Sequence, residues 1–440
     1  MRFSRRGLTG RLVATRGVCV FRAAALAASL AAFLWAAGPA HGQCPFEWRS
    51  GLPQMNGTVH ALTVYNGELI AAGELTIAGG ESVNRIAKWN GASWSPLGMG
   101  IGWTVYALTI YDDQLIAGGN FTSAGGGSAN YIAQWNGTSW SALGSGMGEP
   151  AIFPNVKSLT VYNGELIAGG HFTTAGGVPA SRIAKWNGTS WSALGSGTLG
   201  PVHALIVYNG DLIVGGGFSK AGGITAFNIA KWNGTSWSAV PAGLSGTVNA
   251  LTIYNGQLIA GGDFATTISR IAKWNGTSWS GLGNGIYYAA EPNARVLALT
   301  VYNAELFAGG EFNMAGLLPA YGIAKWNGAS WSPLDTEVSC RAKALTLYDG
   351  DLTAGCPFGL VGSGTVLNYW ARWGSTCPPG DLDADSDVDV DDFALFEACF
   401  NGPGDPVPPP ECSVDADFDA DADADLRDFA VFQTWFNSPD

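Results

Sequence analysis

The heptapeptide KWNGTSW occurs three times in the 440-residue chain, and three near-copies differ from it by one residue. A second phrase, of the type ALTVYNGEL, precedes each copy, and its tyrosine recurs at intervals of 46 to 51 residues in seven units. Internal repeats of this length are typical of propellers and solenoids. The heptapeptide copies lie at residues 88–94, 134–140, 185–191, 231–237, 273–279 and 325–331, and the tyrosines are Tyr65, Tyr111, Tyr162, Tyr208, Tyr254, Tyr302 and Tyr348.

Each unit reads as four β-strands, typified by VHALTVY, ELIAAGELT, RIAKW and SWSPLG. The apolar residues alternate with period two, Asn-Gly and Asp-Gly pairs separate the runs, and no unit contains a helical period. Helical solenoids are therefore excluded. The 63 glycines, 18 tryptophans and 13% charged residues also fit an aromatic, turn-rich all-β protein. Seven such units predict a seven-bladed β-propeller with four-stranded blades.

In KWNGTSW, the Asn-Gly pair is expected to form a type I′ turn that joins the third and fourth strands, with φ > 0 at both residues. The flanking tryptophans are expected to pack between neighbouring blades. Four copies also match the N-glycosylation pattern, but KWNGASW keeps the turn and loses that pattern, so the repeat is interpreted as structural rather than as a glycan acceptor. The four matching asparagines are Asn136, Asn187, Asn233 and Asn275.

The seventh unit lacks an SWS strand, whereas CPFEWRSGL at residues 44–52 matches SWSPLG with Trp48 in the place of Trp94. The N-terminal strand is therefore expected to complete the last blade. On that register we expect a disulfide between Cys44 and Cys377, at the tip of one hairpin. A second disulfide is expected between the two cysteines at the adjoining ends of the first two strands of this blade, Cys340 and Cys356.

The region from Cys44 to Gly374 resembles the kelch and galactose-oxidase group of propellers, because the diglycine of LIAGG and the later tryptophan occur in the same order. It is also similar to propeller repeats of bacterial secreted proteins and of fungal cell-surface cortical markers. This resemblance implies a fold rather than a function.

The first 42 residues carry six arginines and no acidic residue, and they contain the apolar run AAALAASLAAFLWAAG. This pattern predicts a secretory signal peptide with cleavage after Gly42. The alternative is a membrane anchor, although the run is short for a bilayer span. No other segment is predicted to cross a membrane, so we expect a secreted or surface-attached protein. The signal removes Cys19, and the remaining six cysteines fit disulfides in an exported chain.

The two longer connections of each unit should lie opposite the tight turns, and loops of this kind commonly carry function. At the start of the innermost strand one position varies while its surroundings do not, and a second variable position follows the diglycine. Varied polar side chains on a constant framework can form a ligand site, possible partners including a glycan; the alternative is solvated strand ends without a ligand. The first set of candidates is His60, Tyr106, Lys157, His203, Asn249 and Lys343, with Leu297 at the apolar position, and the second is Glu74, Asn120, His171, Asp263 and Glu311.

Signatures of catalysis are weak, and no catalytic residue is assigned. GSGTLG at residues 195–200 matches a dinucleotide-binding pattern but precedes a strand rather than a helix. After the predicted signal peptide the chain contains three histidines, His60, His171 and His203, and each belongs to a different repeat. This distribution does not favour a copper site of the galactose-oxidase type. Glu74, Asp263 and Glu311 remain the carboxylates that would serve a carbohydrate-active enzyme.

The formal net charge of −13 is concentrated near the C-terminus, where residues 381–440 contain 18 acidic residues and one arginine. Nucleic-acid binding requires clustered basic residues and is not expected. The stretches DLDADSDVDVDD and DFDADADADLRD place oxygen ligands at positions 1, 3, 5, 9 and 12, with position 7 also available, which suits calcium. An apolar helical stretch follows each one. The alternative is a solvated acidic tail.

This duplicated loop and helix resembles the type I dockerin, a module that attaches secreted proteins to cohesin-bearing scaffolds. The resemblance implies two calcium ions and a cohesin-like scaffold or surface partner. Cys399 and Cys412 bracket the connector NGPGDPVPPPE between the two repeats, and we expect them to form a disulfide. Ser386 and Ala422 replace the usual glycine at position six, and the recognition positions of the two repeats differ. The ligands carried over are Asp381, Asp383, Asp385, Asp387, Asp389, Asp392, Asp417, Asp419, Asp421, Asp423, Asp425 and Asp428.

These patterns predict a signal peptide at residues 1–42, a propeller at 43–374, a linker at 375–380 and a small helical calcium-binding domain at 381–440. The predicted function is non-catalytic binding or surface assembly. The alternative is a carbohydrate-active hydrolase, lyase or oxidase that uses the same face of the propeller.

Overall fold

The structure is a computed structural model that describes residues 46–49, 52–148, 154–264, 269–289, 293–334, 339–357, 359–361, 365–367, 369–375, 382, 390–399, 428–429 and 432. The predicted signal peptide lies outside these residues, and so does the predicted linker except for Ser375, the last residue of the strand Trp370–Ser375. Residues Glu47–Gly374 form one compact unit, and the C-terminal segment belongs to another. No helix in the described ranges is both long and apolar enough to cross a membrane.

In the part of the chain that the structure describes, the repeats form seven four-stranded antiparallel sheets. The strands of six sheets pair in chain order, and in sheet 7 the N-terminal strand takes the fourth place. Sheets 1 to 3 consist of Val59–Tyr65, Glu68–Gly73, Ile86–Trp89 and Trp94–Pro96; of Val105–Tyr111, Gln114–Gly119, Ile132–Trp135 and Trp140–Ala142; and of Asn155–Tyr162, Glu165–His171, Ile183–Trp186 and Trp191–Ala193.

Sheets 4 to 6 consist of Val202–Tyr208, Asp211–Gly216, Ile229–Trp232 and Trp237–Ala239; of Val248–Tyr254, Gln257–Gly262, Ile271–Trp274 and Trp279–Gly281; and of Arg295–Tyr302, Glu305–Glu311, Ile323–Trp326 and Trp331–Pro333. Sheet 7 consists of Ala344–Tyr348, Asp351–Gly355, Trp370–Ser375 and Phe46–Trp48.

Short additional strands of two or three residues lie in the longer connections and form two-stranded or three-stranded sheets. They are Ile77–Ala78, Glu81–Ser82, Ser123–Ala124, Gly127–Ser128, Met147–Gly148, Thr174–Ala175, Val178–Pro179, Lys220–Ala221, Ile224–Thr225, Ile286–Tyr287, Met314–Ala315, Leu318–Pro319, Ser339–Cys340, Gly359–Val361 and Thr365–Leu367.

The first strand of each sheet contacts the first strand of the next sheet, and the first strand of sheet 7 contacts that of sheet 1. Consecutive sheets therefore surround a common axis with their first strands innermost. This arrangement is a β-propeller, as the repeat predicts.

The hydrophobic core lies between adjacent sheets rather than in one central cluster. Ile70 and Ile86 of sheet 1, for example, pack in one buried cluster with Val105 and Leu115 of sheet 2. At most sheet junctions the first glycine of the diglycine admits the next sheet: a Cβ on Gly215 would lie 2.6 Å from Val248 Cγ1. Close approach of neighbouring sheets therefore depends on this small residue.

The turn within KWNGTSW differs from the prediction. Gly188 has φ of +94°, but Asn187 does not have positive φ, and the paired Trp186 and Trp191 enclose a four-residue loop. The side-chain Oδ1 of Asn187 accepts hydrogen bonds from the backbone N–H groups of Thr189 and Ser190, as in an Asx turn. The predicted type I′ turn at this motif is wrong, because four loop residues and the asparagine side chain close it differently.

The turn with two left-handed residues lies instead between the first and second strands. At Asn209 and Gly210, φ is +50° and +79°, and Asn66 with Gly67 behaves in the same way. These values suit a type I′ turn, whose twist matches that of the strands on either side.

The tryptophans pack between neighbouring sheets, as predicted. The Trp186 and Trp191 ring centroids are 5.4 Å apart, and Trp191 Nε1 donates a hydrogen bond of 2.9 Å to the carbonyl of Leu143, which follows the preceding sheet. A Cβ on Gly144 would lie 3.0 Å from the Trp186 ring. The repeated motif therefore joins consecutive sheets of the ring.

The strand Phe46–Trp48 pairs with Trp370–Ser375 and completes sheet 7, which confirms the expected closure by the N-terminal strand. Just beyond this strand, the backbone N–H of Arg49 donates to the carbonyl of Arg372 at 2.9 Å. The disulfide between Cys340 and Cys356 is present, with the Cα atoms 5.6 Å apart. Cys44 and Cys377 lie outside the described residues, so their pairing stays a prediction.

Candidate functional site

The seven variable positions at the start of the innermost strands surround one cavity of about 280 Å³. We call these residues the mouth ring. The structure thus brings together every member of the first predicted set. Members of the mouth ring, in sheet order, are His60, Tyr106, Lys157, His203, Asn249, Leu297 and Lys343.

Six members of the mouth ring occupy breaks in strand register. In sheet 2, Val105 lies opposite Gly119 and Ala107 lies opposite Gly118, so Tyr106 between them is the extra residue of a β-bulge. The same shift occurs at the equivalent residue of the other five sheets. A bulge leaves one residue without a ladder partner and reorients its side chain. These side chains can therefore vary without disturbing the sheet.

The second glycine of the diglycine makes this backbone path possible. A Cβ on Gly119 would lie 2.2 Å from the carbonyl oxygen of Thr104, and one on Gly216 would lie 2.1 Å from that of Pro201. Both distances are far inside van der Waals contact, so a larger residue would have to displace backbone. The diglycine therefore serves both sheet packing and the bulge.

Sheet 7 positions its member of the ring without a bulge. Ala344 pairs with Gly355, and Lys343 donates its backbone N–H to the Gly355 carbonyl at 2.8 Å. Cys356 follows directly and is tied by its disulfide to Cys340, three residues before Lys343. The disulfide thus supports the segment that presents this lysine.

Two histidines of the mouth ring have polar partners. His60 Nε2 lies 3.2 Å from Glu74 Oε1, and His203 Nδ1 lies 3.2 Å from Asn249 Oδ1. Burial lowers the pKa of His60 to about 4, despite its bond to Glu74, and burial also lowers the pKa of His203. Both rings are therefore neutral at pH 7 and can donate or accept hydrogen bonds.

The two lysines of the ring are less well compensated. Lys157 Nζ lies 3.5 Å from the centroid of the Tyr106 ring, a cation–π contact. Burial and the positive charge of Lys343 lower the pKa of Lys157. Within the described ranges neither lysine forms an ion pair. The mouth ring therefore holds two cations that repel each other.

Members of the second predicted set take different positions. Glu311 lines the cavity, and Glu74 reaches the ring through His60. Asn120, His171 and Asp263 do not line it; His171 pairs with Asn155 across sheet 3, and the backbone N–H of Asp263 donates to Thr247. Only part of the second set therefore belongs to the site.

Sequence reasoning missed Arg295, which lines the cavity directly opposite Glu311 in the register of sheet 6. The sequence feature that could have identified Arg295 is its position two residues before the candidate Leu297. A second cavity of about 420 Å³, lined by Tyr302 and Tyr348 near the tight turns, contains none of the predicted site residues.

Ten of the twelve predicted calcium ligands lie outside the described residues. Asp392 and Asp428, at the twelfth position of the two repeats, are fully buried. The Asp392 carboxylate accepts a hydrogen bond from the backbone N–H of Leu382, and the helix Val390–Cys399 contains it. Carboxylate oxygens are ligands that calcium prefers, so these two side chains fit a calcium site. Among the described residues alone, no group of three metal-binding side chains occurs.

Comparisons with known proteins agree with the architecture. A family model of the Rax2 C-terminal β-propeller domain matches residues 154–291. No curated protein sequence gives a match. Together with the sheet topology, the family match identifies a β-propeller.

Similar solved structures share little sequence with the chain. The WD40 β-propeller domain of Doa1 is 13% identical, with a TM-score of 0.45 over 75% of this chain and 97% of that one. The structure of YCF48 bound to D1 peptide is 14% identical, with a TM-score of 0.47 over 77% and 98%. The computationally designed Ika8 protein is 14% identical, with a TM-score of 0.42 over 74% and 98%.

Proposed function

We propose that the protein is an exported, non-catalytic binding or surface-assembly protein whose ligand site is the mouth ring. The observation that carries this proposal is the convergence of seven varied side chains on one cavity, six of them from β-bulges, while the surrounding repeat stays constant. Bulges next to binding sites commonly redirect side chains in this way. Propeller and signal peptide together fit a domain that presents this site outside the cell.

The proposed architecture is a seven-bladed propeller of the kelch-like group, with each four-stranded sheet as one blade. Cyclic contact of the seven innermost strands supports the blade number, and the roles of the diglycine and of the later tryptophan support the grouping. The alternative of a carbohydrate-active enzyme would use Glu311, the predicted carboxylate that lines the cavity.

A screen of the full chain against a glycan panel, with product release assayed in parallel, tests the proposal. We expect ligands that bind without turnover and that lose affinity in His203→Ala with Asn249→Ala. Lys185→Met, which removes an ion pair on the outer part of sheet 3, is the matched control and should bind normally. Turnover abolished by Glu311→Gln would favour the enzyme instead, and binding unaffected by the ring variant would exclude the mouth ring.

We propose further that the C-terminal segment is a dockerin-like module that binds two calcium ions and attaches the protein to a cohesin-type partner. Equivalent residues of its two repeats pack against each other: Phe396 stacks on Phe432 at 5.3 Å between centroids, and Phe393 lies 6.0 Å from Phe429. Cys399 is disulfide-bonded, and its predicted partner Cys412 lies outside the described residues. This quasi-symmetric pairing supports a duplicated loop and helix.

Acidic side chains of the C-terminal segment would bind the two calcium ions. Asp392 and Asp428 would hold one ion each through buried carboxylates, together with the acidic side chains that precede them, and bound calcium would neutralise loops that otherwise repel. Calorimetry of the full chain should show two sites, with one lost in Asp392→Ala and the other in Asp428→Ala. Retention by a cohesin-bearing surface should require calcium. Absence of calcium uptake at millimolar metal would leave only an acidic tail.

A further inference from the structure

We propose that the mouth ring selects a monoanionic ligand, a carboxylate carried on a group the size of one sugar ring, as in a hexuronate. This inference rests on the proposed function, because it specifies the chemistry of the same site. Its basis is the arrangement of charge around the cavity, which contrasts with the acidic character of the whole chain.

Three cations belong to the cavity: Lys157 and Lys343 of the ring, and Arg295 beside it. Glu311 is the carboxylate on the described lining, Glu74 contacts His60, and the carboxylate of Asp263 acts on His203 from outside the lining. The described lining itself, with three cations and the carboxylate of Glu311, is therefore positive in a chain whose formal net charge is −13. Concave sites lined by one sign of charge concentrate ions of the opposite sign.

The lysines are placed to bind an anion between them. They belong to sheets 3 and 7, on different sides of the ring, and burial together with the positive charge of Lys343 lowers the pKa of Lys157. Neither one forms an ion pair with any described residue. A carboxylate in the cavity would accept charge-assisted hydrogen bonds from both and relieve that repulsion.

The remaining lining residues fit hydroxyl groups rather than a second charge. His203 and Asn249 form a neutral hydrogen-bonded pair, and His60 is held neutral beside Glu74. The carboxylates of Glu311, Glu74 and Asp263, on and around the lining, would repel a second negative charge, which favours a monoanion over a dianionic phosphate. A volume of about 280 Å³ accommodates one sugar ring with its hydration.

Calorimetry of the full chain with galacturonate and with galactose, its neutral counterpart, tests the proposal. We expect galacturonate to bind roughly tenfold or more tightly, the range that one or two hydrogen bonds to a charged group supply. Lys157→Met and Lys343→Met should each remove most of this preference. Lys185→Met, which removes one lysine of the same sheet outside the cavity, should retain it. Rising salt should weaken galacturonate and leave galactose unchanged.

The contrary outcomes separate the two proposals. Equal binding of both sugars, abolished by His203→Ala with Asn249→Ala, would overturn the charge selectivity and leave the binding function intact. Binding of inorganic phosphate more tightly than galacturonate would overturn the proposed preference for a monoanionic ligand. An acetylated tripeptide with a free C-terminal carboxylate is the peptide probe. If it binds more tightly than both its C-terminal amide and galacturonate, the ligand is a peptide carboxylate and the proposed sugar ligand is overturned. Sugar binding insensitive to every ring variant would overturn both proposals.

Discussion

The Lys157 ammonium lies 3.5 Å from the centre of the Tyr106 ring, so two neighbouring members of the mouth ring, contributed by sheets 2 and 3, are in direct contact. Both are at β-bulges, and both depend on their own sheet for position. Their contact joins two separate sheets at the axis.

We predict a measurable coupling between these two residues. Partly buried cation–π pairs contribute about 0.5–2 kcal/mol, so a double-mutant cycle of Tyr106→Leu and Lys157→Met should give a coupling energy of that size in urea unfolding. Tyr106→Phe retains the ring face and is the control, with little change expected. Strict additivity of the two substitutions would show that the contact contributes nothing to stability.

Breaking the buried ion pair of sheet 7 should lower the free energy of unfolding far more than breaking the equivalent ion pair of another sheet. The carboxylate of Asp351 is 4% exposed and contacts Arg49 and Arg372. Asp351→Asn would remove the buried carboxylate partner of Arg372, whose guanidinium would keep the largely exposed carboxylate of Asp349 at 3.2 Å, at a cost of about 3–5 kcal/mol. Glu165→Gln at the equivalent position of sheet 3 removes a more exposed pair with Lys185 and should cost less than about 1 kcal/mol. Chemical denaturation of both variants makes the comparison, and similar losses would contradict it.

Stability should depend on pH through His60. Its pKa in the folded protein is about 4, against 6.5 for the free side chain, so the unfolded chain binds a proton first as the pH falls. Stability from this group is intact above pH 6.5 and is lost between pH 6.5 and 4, by about 3 kcal/mol in all.

The groups that face His60 are Glu74, Tyr106, Lys157 and Lys343, of which only Glu74 favours the charged ring. The His60→Gln variant keeps a polar side chain and should lose less stability than the wild type over this pH range. Urea unfolding at pH 7, 5.5 and 4.5 measures the difference, and parallel curves for the two proteins would refute the assignment.

The two glycines of the diglycine should differ in their tolerance of alanine. A Cβ on Gly216 would meet the carbonyl oxygen of Pro201, which is backbone and cannot rotate away, so Gly216→Ala should cost several kcal/mol, roughly that of severe overpacking. Gly215→Ala would meet the side chains of Val248 and Leu251 rather than backbone. Sheet 1 carries Ala72 at that position and buries it fully, so this substitution should cost less. Thermal unfolding of the two variants tests the order.

Local chemistry determined the propeller. Alternation of apolar residues, turn-forming pairs and the spacing of the repeat are each written within one unit, so the strands, the closure by Trp48 and the disulfide between Cys340 and Cys356 follow from the sequence. The identity of the mouth ring also follows, because a position that varies in a constant repeat is visible without coordinates.

Tertiary structure decided what those positions do. A bulge is a mismatch between two paired strands, so the unpaired state of Tyr106 depends on the register opposite Gly118 and Gly119 and cannot be read from one strand. Arg295 joins the cavity, and Asn120 does not, because strand ends from different repeats meet only when the ring closes. The opposition of Lys157 and Lys343 is likewise a property of the closed ring, since 186 residues of sequence separate two charges that share one cavity.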